Sequence, residues 1–425
     1  MNSEIPVSKR LALTIYALST VLVVDAVYLA HDMLELCTEH QYSRTKHVPS
    51  DGFFAWDAYW YEKIAATGYQ YHPGKQTSIA FFPAFPLAAS TVSFLSGIPV
   101  RASLLLVSHA CLALTFIIWS RYLALRRPPR ASPQSQHQPK RQPPVNPARD
   151  QGIGPTEPIL QVLLAFALFP TTFWFRMAYT ESMFALGILL TLHLIEGKSA
   201  FWKCCLVSGA STAVRSVGVA LVPVLLVEAF YRWRDSGDWR TFLWMPLAVW
   251  GLIAFILYQS IAFGEPLAFV KVQSTWQMRE VPSAEVRLNK ELTLQPLRDV
   301  YDPECTRCYW GGKPPKSSVV LNLWFANPIY FFFTAALICF GWSRGWLTRS
   351  ELLLSACLLF IPYLSHGYNC MASFARYSSA VLPAYIVMGK MLQNMNRIFA
   401  ISLALLSCSL LMSYSALFAN WYWFY

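Results

Sequence analysis

Four short stretches hold the polar residues whose types and spacing could do chemistry. In Asp51-Gly-Phe-Phe-Ala-Trp56-Asp57-Ala-Tyr-Trp-Tyr-Glu62, six aromatics (Phe53, Phe54, Trp56, Tyr59, Trp60 and Tyr61) crowd around Asp57. Such density belongs at a membrane–water boundary, where one edge of a ring is apolar and the other wet. Asp57 is then either a solvated carboxylate on a surface anchor or a base reaching a substrate whose tail stays in the bilayer. Arg176-Met-Ala-Tyr179-Thr-Glu181-Ser lies between two apolar runs, where ionisable groups are costly and face a cavity or a partner. An Arg176/Glu181 or Glu181/Arg215 ion pair and a direct substrate contact both fit. Arg215 divides the 33-residue apolar run 199–231 into two halves, and Arg376 stands in Ala-Ser-Phe-Ala-Arg-Tyr. A guanidinium at such depth calls for a carboxylate or phosphate partner, and its planar fork matches phosphate oxygens.

The elements that must carry these residues are apolar helices. Of 425 residues, 55% are hydrophobic and only 13% charged, with a mean hydropathy of +0.37; this excludes an ordinary soluble domain. Apolar stretches long enough to cross a hydrocarbon layer recur at 11–30, 102–125, 158–175, 177–195, 199–214, 216–231, 241–263, 319–341, 349–364, 373–391 and 397–419. The sequence therefore predicts an all-α polytopic bundle of about 11 transmembrane helices forming one domain, 1–425. The first run exceeds a signal-peptide core and has no evident cleavage site, which reads as a retained span.

The net charge of +11 reports inner loops rather than nucleic-acid binding, since basic residues accumulate on the cytoplasmic side. The segment 126–157, with Arg126, Arg127, Arg130, Lys140, Arg141 and Arg149 among prolines and glutamines, reads as a disordered cytoplasmic loop. Its Pro144-x-x-Pro147 is a chance-level match in such composition. With that loop inside, Lys198/Lys203, Arg232/Arg234/Arg240, Arg344/Arg349 and Lys390/Arg397 also fall inside. Lys9 and Arg10 do too, if 79–97, broken by Pro83 and Pro86, is re-entrant or interfacial. The outer face then receives 31–101, the turns at Arg176–Ser182 and Arg215, the loop 264–318 and His366–Arg376.

Cys305-x-x-Cys308 lacks the second ligand pair of a structural zinc site; a local or inter-loop disulfide suits an oxidising exterior. His109 and His193, inside spans, read as packing residues. Neither a metal nor a cofactor is expected, and no DxD-type ligand pair is present.

Trp56-Asp57-Ala-x-x-Tyr-x-x-Ile-Ala-x-x-Gly68-Tyr-x-Tyr71, followed by Phe81-Phe-Pro-x-Phe-Pro86, resembles the first outer loop of the GPI mannosyltransferase 2 (PIG-V) family, of the GT-C class of polytopic glycosyltransferases. The likeness continues in order through Tyr179-Thr-Glu181-Ser and Ala-x-Arg215-Ser-x-Gly218, and more loosely through Asn327-Pro-Ile-Tyr and Ser373-Phe-Ala-Arg376-Tyr. It implies a GT-C-like bundle that transfers mannose from a lipid-linked donor, dolichyl- or polyprenyl-phosphate mannose, to a glycolipid acceptor on the outer or lumenal side. The membrane would be the endoplasmic reticulum of a eukaryote or the cytoplasmic membrane of a bacterium. Asp57 matches the position of the family's catalytic carboxylate. Trp56, Arg176, Tyr179, Glu181, Arg215 and Arg376 are the candidate donor-phosphate and substrate contacts. One base with cations suffices for such a donor, because a phosphate leaves without being protonated, whereas a glycosidase needs two carboxylates. A transporter or lipid flippase would use the same charges for passage, but the candidates gather on one face rather than in matched halves.

Overall fold

The computed structural model describes residues 9–36, 48–126, 158–276, 283–305, 318–366 and 370–422, and among them every regular element is helical. Among the described residues six helices are long and apolar enough to cross a membrane: Lys9–Met33, Val100–Leu125, Ser216–Ser236, Trp239–Phe263, Leu323–Ser343 and Arg397–Ala419. A seventh expected span is a broken one. Ile159–Leu168 and Pro170–Arg176 meet at 81°, because Pro170 has no N–H to continue the helix. Shorter helices fill the remaining expected spans: Glu181–Glu196, Phe201–Val214, Arg349–His366, and Phe374–Ser379 followed by Leu382–Gln393. The expected count of about 11 crossings thus meets six or seven helices of full length.

The segment around the paired prolines forms one short helix, Ala84–Ser96. Gly97, in the left-handed conformation at φ +73°, ends it, and Leu87, Phe94 and Leu95 lie exposed on it. At 13 residues it is shorter than a membrane-crossing helix needs to be.

Small residues let helices approach closely where the bundle is tightest. Gly209 and Gly251 face each other across Phe201–Val214 and Trp250–Phe263, and a Cβ on either would strike the opposing backbone. Packing of this kind drives helix association where lipid offers no hydrophobic incentive.

Several of the basic turns lie against one another or share a partner. Arg232 Nη1 donates to the Ser199 carbonyl at 2.7 Å and Arg349 Nη1 to the Tyr231 hydroxyl at 2.5 Å. Arg344 and Lys390 both lie near the Trp346 ring, at 5.8 and 6.0 Å. Arg126, however, is no linker residue. Its buried guanidinium ends the helix Val100–Leu125, Nε 2.5 Å from Glu351 Oε1 and Nη2 2.6 Å from Oε2, where a charge at this depth finds its partner. The rest of the expected linker, 127–157, and Cys308 lie outside the described residues.

Candidate functional site

Asp57 stands at the N-terminus of the helix Ala58–Thr67, directly after a turn that only tertiary contacts could hold. Trp56 has φ +59°, a conformation uncommon for a bulky residue and met where surrounding structure enforces it. The Tyr179 hydroxyl clasps this turn from both sides. It accepts the Asp57 N–H at 3.0 Å and donates to the Ala55 carbonyl at 3.1 Å, while the Ala178 N–H donates to the Phe53 carbonyl at 3.0 Å. Trp56 packs on Trp421, with ring centroids 5.3 Å apart.

The two carboxylates flanking Asp57 are engaged elsewhere. Arg101 Nη1 donates to Asp51 Oδ1 at 2.7 Å, its Nε lies 3.4 Å from Glu62 Oε2, and its guanidinium covers the Phe54 ring at 4.1 Å. Asp51 Oδ2 also accepts the Val48 N–H at 3.1 Å. Arg101 was not singled out in the sequence, where it is one cation at the start of an apolar helix. Asp51 and Glu62 are thus both tied to Arg101 within the loop, whereas Asp57 turns to Arg376. The nearby Tyr61 phenol is pushed up to about 12, by burial first and against the opposing pull of Arg376, and so stays protonated at neutral pH.

Asp57 meets Arg376 across the chain, Oδ2 2.8 Å from Nη1, with the Asp57 side chain one-third exposed (33%) and that of Arg376 nearly buried (9%). Arg376 turns its Nε to Glu181 Oε1, and Arg215 Nη1 donates to that same oxygen. Glu181, wholly buried at the start of its helix, is therefore shared between two arginines. Arg376 also covers the Tyr179 ring at 4.7 Å, and Arg215 lies 5.8 Å from the Tyr377 ring.

Local sequence explains each placement. The helix Phe201–Val214 stops because Arg215 is extended (φ −151°, ψ 148°), and Gly218 allows the chain to fold back on Ser211 and Thr212 where a Cβ would clash. Asn327, within Asn-Pro-Ile-Tyr, accepts the Ala375 N–H at 2.8 Å and so sets the short helix that carries Arg376. A buried Asn before Pro in an apolar helix was the available signal for this role. Among the described residues, Glu181 Oε2, Thr180 Oγ1, Ser378 Oγ and Asn327 Nδ2 are buried polar atoms without a hydrogen-bond partner.

Thus Asp57, Tyr179, Glu181, Arg215 and Arg376 come together, with Trp56 beside them. Arg176 does not join them. It is 1% exposed and donates to the Thr172 and Ala167 carbonyls at 3.1 Å and to Ser19 Oγ at 2.6 Å. It is held by carbonyls on both sides of the break at Pro170 and by Ser19, and the Arg176/Glu181 pair is not formed. Of the expected pairs, Glu181/Arg215 is the one present. His109 hydrogen-bonds Tyr16 at 3.0 Å as a packing residue. Among the described residues no group of three or more His, Cys, Asp or Glu side chains could hold a metal ion.

No protein-family model matches the chain, and no curated protein matches it. Solved structures similar to it include those of the oligosaccharyltransferase of Archaeoglobus fulgidus. The apo form gives a TM-score of 0.45 at 13% identity, covering 96% of this chain and 55% of that one. The form tethered to an acceptor peptide containing the NVT sequon gives 0.43 at 12%, over 97% and 55%. The complex of that protein, AglB, with an inhibitory peptide and a dolichol-phosphate gives 0.43 at 13%, over 96% and 55%. The chain thus spans about half the length of these proteins.

Proposed function

We propose that the chain is a membrane glycosyltransferase that moves mannose from a dolichyl- or polyprenyl-phosphate-mannose donor to a glycolipid acceptor at the outer or lumenal face. The observation that carries this reading is the asymmetry of the charged cluster: one partly exposed carboxylate, Asp57, pairs with Arg376, which a buried one, Glu181, ties from behind to Arg215. Mannose and the lipid-phosphate donor rest on the motifs shared with GPI mannosyltransferase 2; no residue here reads one hexose over another.

In this reaction Asp57 takes the proton of the acceptor hydroxyl as its oxygen attacks the anomeric carbon from the face opposite the phosphate. The bond to the phosphate breaks in the same displacement, and the configuration inverts. The electron pair goes to the phosphate oxygen, whose charge Arg215 and Arg376 stabilise. Glu181 holds both guanidiniums and keeps their forks in place, while Tyr179 holds Asp57. A donor phosphate would also compete with Asp57 for Arg376 Nη1, so that donor binding loosens the pair and frees the carboxylate to act as a base. The partnerless buried polar atoms around Glu181 favour a polar ligand at this point.

The test supplies purified protein with radiolabelled polyprenyl-phosphate mannose and acceptor glycolipid in detergent or vesicles. Acceptor-dependent release of polyprenyl phosphate with label transferred is the expected result. Movement of lipid across the vesicle without bond cleavage would instead identify a flippase.

A further inference from the structure

We propose that Cys305 and Cys370 form a disulfide that ties the loop 283–305 to the turn presenting Arg376. The two sulfurs lie 4.0 Å apart, and the residues are 65 positions apart in sequence. They belong to one apolar cluster with Leu297, Val300, Trp324, Tyr363 and Phe374, so the juxtaposition is built by packing on both sides. A bond needs the sulfurs to close from this 4.0 Å to about 2.05 Å.

The turn beside Cys370 explains what the bond would do. Cys370, Met371 and Ser373 all have positive φ, of 52°, 54° and 64°, and three such non-glycine residues within four positions persist only where other contacts impose them. Trp324 Nε1 donates to the Cys370 carbonyl at 3.2 Å, and the Phe374 N–H to the Met371 carbonyl at 3.2 Å. Arg376 follows in the next turn of helix. Cys305 is fixed in turn by its own N–H to the Asp302 carbonyl at 3.0 Å. The sequence reading puts both segments on the oxidising face, where disulfides form and persist.

Chemically, a thiolate of the pair attacks an exchangeable disulfide, small-molecule or protein-borne. The second thiolate then displaces that mixed disulfide, leaving the Cys305–Cys370 bond and two reduced thiols on the donor. The bond itself is independent of the catalytic reading; its effect on Arg376 rests on that reading.

The experiment isolates the full chain from membranes with thiols blocked during lysis, digests it without reductant and maps linked peptides by mass. The expected result is a pair of peptides joining Cys305 to Cys370, two hydrogen masses lighter than their sum and absent from Cys305→Ala and Cys370→Ala proteins. A Cys305–Cys308 link, or alkylation of Cys305 and Cys370 in unreduced wild-type protein, overturns the proposal whether or not the protein transfers sugar. For the effect on Arg376, mild reduction should raise the donor KM of the wild type and leave the Cys305→Ala/Cys370→Ala protein unchanged. Equal sensitivity of the two to reductant overturns that role.

Discussion

Two guanidinium–carboxylate clusters lie at opposite ends of the bundle and are built differently. At one end, Arg126 and Glu351 have wholly buried side chains, 0% and 0% exposed. Glu351 is closed off by Arg126 Nε and Nη2, by the Tyr122 hydroxyl at 2.6 Å and by the Thr348 N–H at 2.7 Å. At the other end, Asp57 keeps a third of its side chain in the open, and Arg376 is shared between it and Glu181. A pair whose polar atoms are saturated from within can hold helices together, but it has nothing left to offer a ligand. A pair with one accessible carboxylate and divided guanidiniums gives up some stability and keeps groups that a substrate can recruit.

The largest expected effect falls on the closed cluster. Glu351→Gln leaves Arg126 as an uncompensated buried charge, a loss of about 3–5 kcal/mol, read as poor accumulation and a lower unfolding temperature in detergent. Replacing both partners with apolar residues, Arg126→Met with Glu351→Leu, should recover much of that stability. If Glu351→Gln protein melts like the wild type, the contrast between the clusters collapses.

At the open cluster, Asp57→Asn should lower turnover by about 10² or more, with accumulation and donor binding little changed. Asp51→Asn should do the reverse, since Asp51 pairs with Arg101 and caps its own turn: weaker accumulation, near-normal turnover per folded molecule. Near-normal turnover of Asp57→Asn would end the base assignment.

A smaller effect is expected at the donor phosphate. Arg215→Lys keeps the charge but loses the planar fork, so the donor KM should rise about tenfold, the cost of one charge-assisted hydrogen bond, with kcat less affected. If donor affinity survives while Glu181→Ala abolishes folding, Arg215 belongs to a structural pair like that of Arg126.

Tyr179→Phe sharpens the comparison most finely. It strips two hydrogen bonds from the Trp56 turn and leaves the ring beneath Arg376 in place. The expected result is a several-fold fall in kcat at constant donor KM, on the scale of about 1 kcal/mol in all. A rise in KM with kcat intact would mean that Tyr179 touches substrate rather than positioning the base.

Much of the site was legible in the chain because its signals are local. Asp57 announced itself by its aromatic surroundings, and Arg215 and Arg376 by being cations among apolar residues. Which carboxylate each cation would meet was not legible. Arg176 and Arg215 both carried the signature of an arginine at membrane depth. Arg176 was claimed by carbonyls on both sides of Pro170, and Arg215 by Glu181. Arg101, without which Asp51 and Glu62 would rival Asp57, gave no signal of its own.

By itself the sequence determined the helical class, the apolar segments and the alternation of basic turns, because hydropathy and charge act residue by residue along the chain. It also determined where the apolar run 199–231 breaks, at Arg215, since an intervening charge is a local fact; the break at Pro170, inside the expected span 158–175, comes from the structure. The tertiary structure decided that Arg126 is a buried tie and not part of a loop, that Tyr179 clasps the Trp56 turn, and that Glu181 joins Arg215 to Arg376. The physical reason is that a buried charge or hydroxyl must be satisfied by whichever partner the packing brings within reach. Pairings such as Asp57 with Arg376, 319 residues apart, are fixed by how helices cross and not by spacing along the chain.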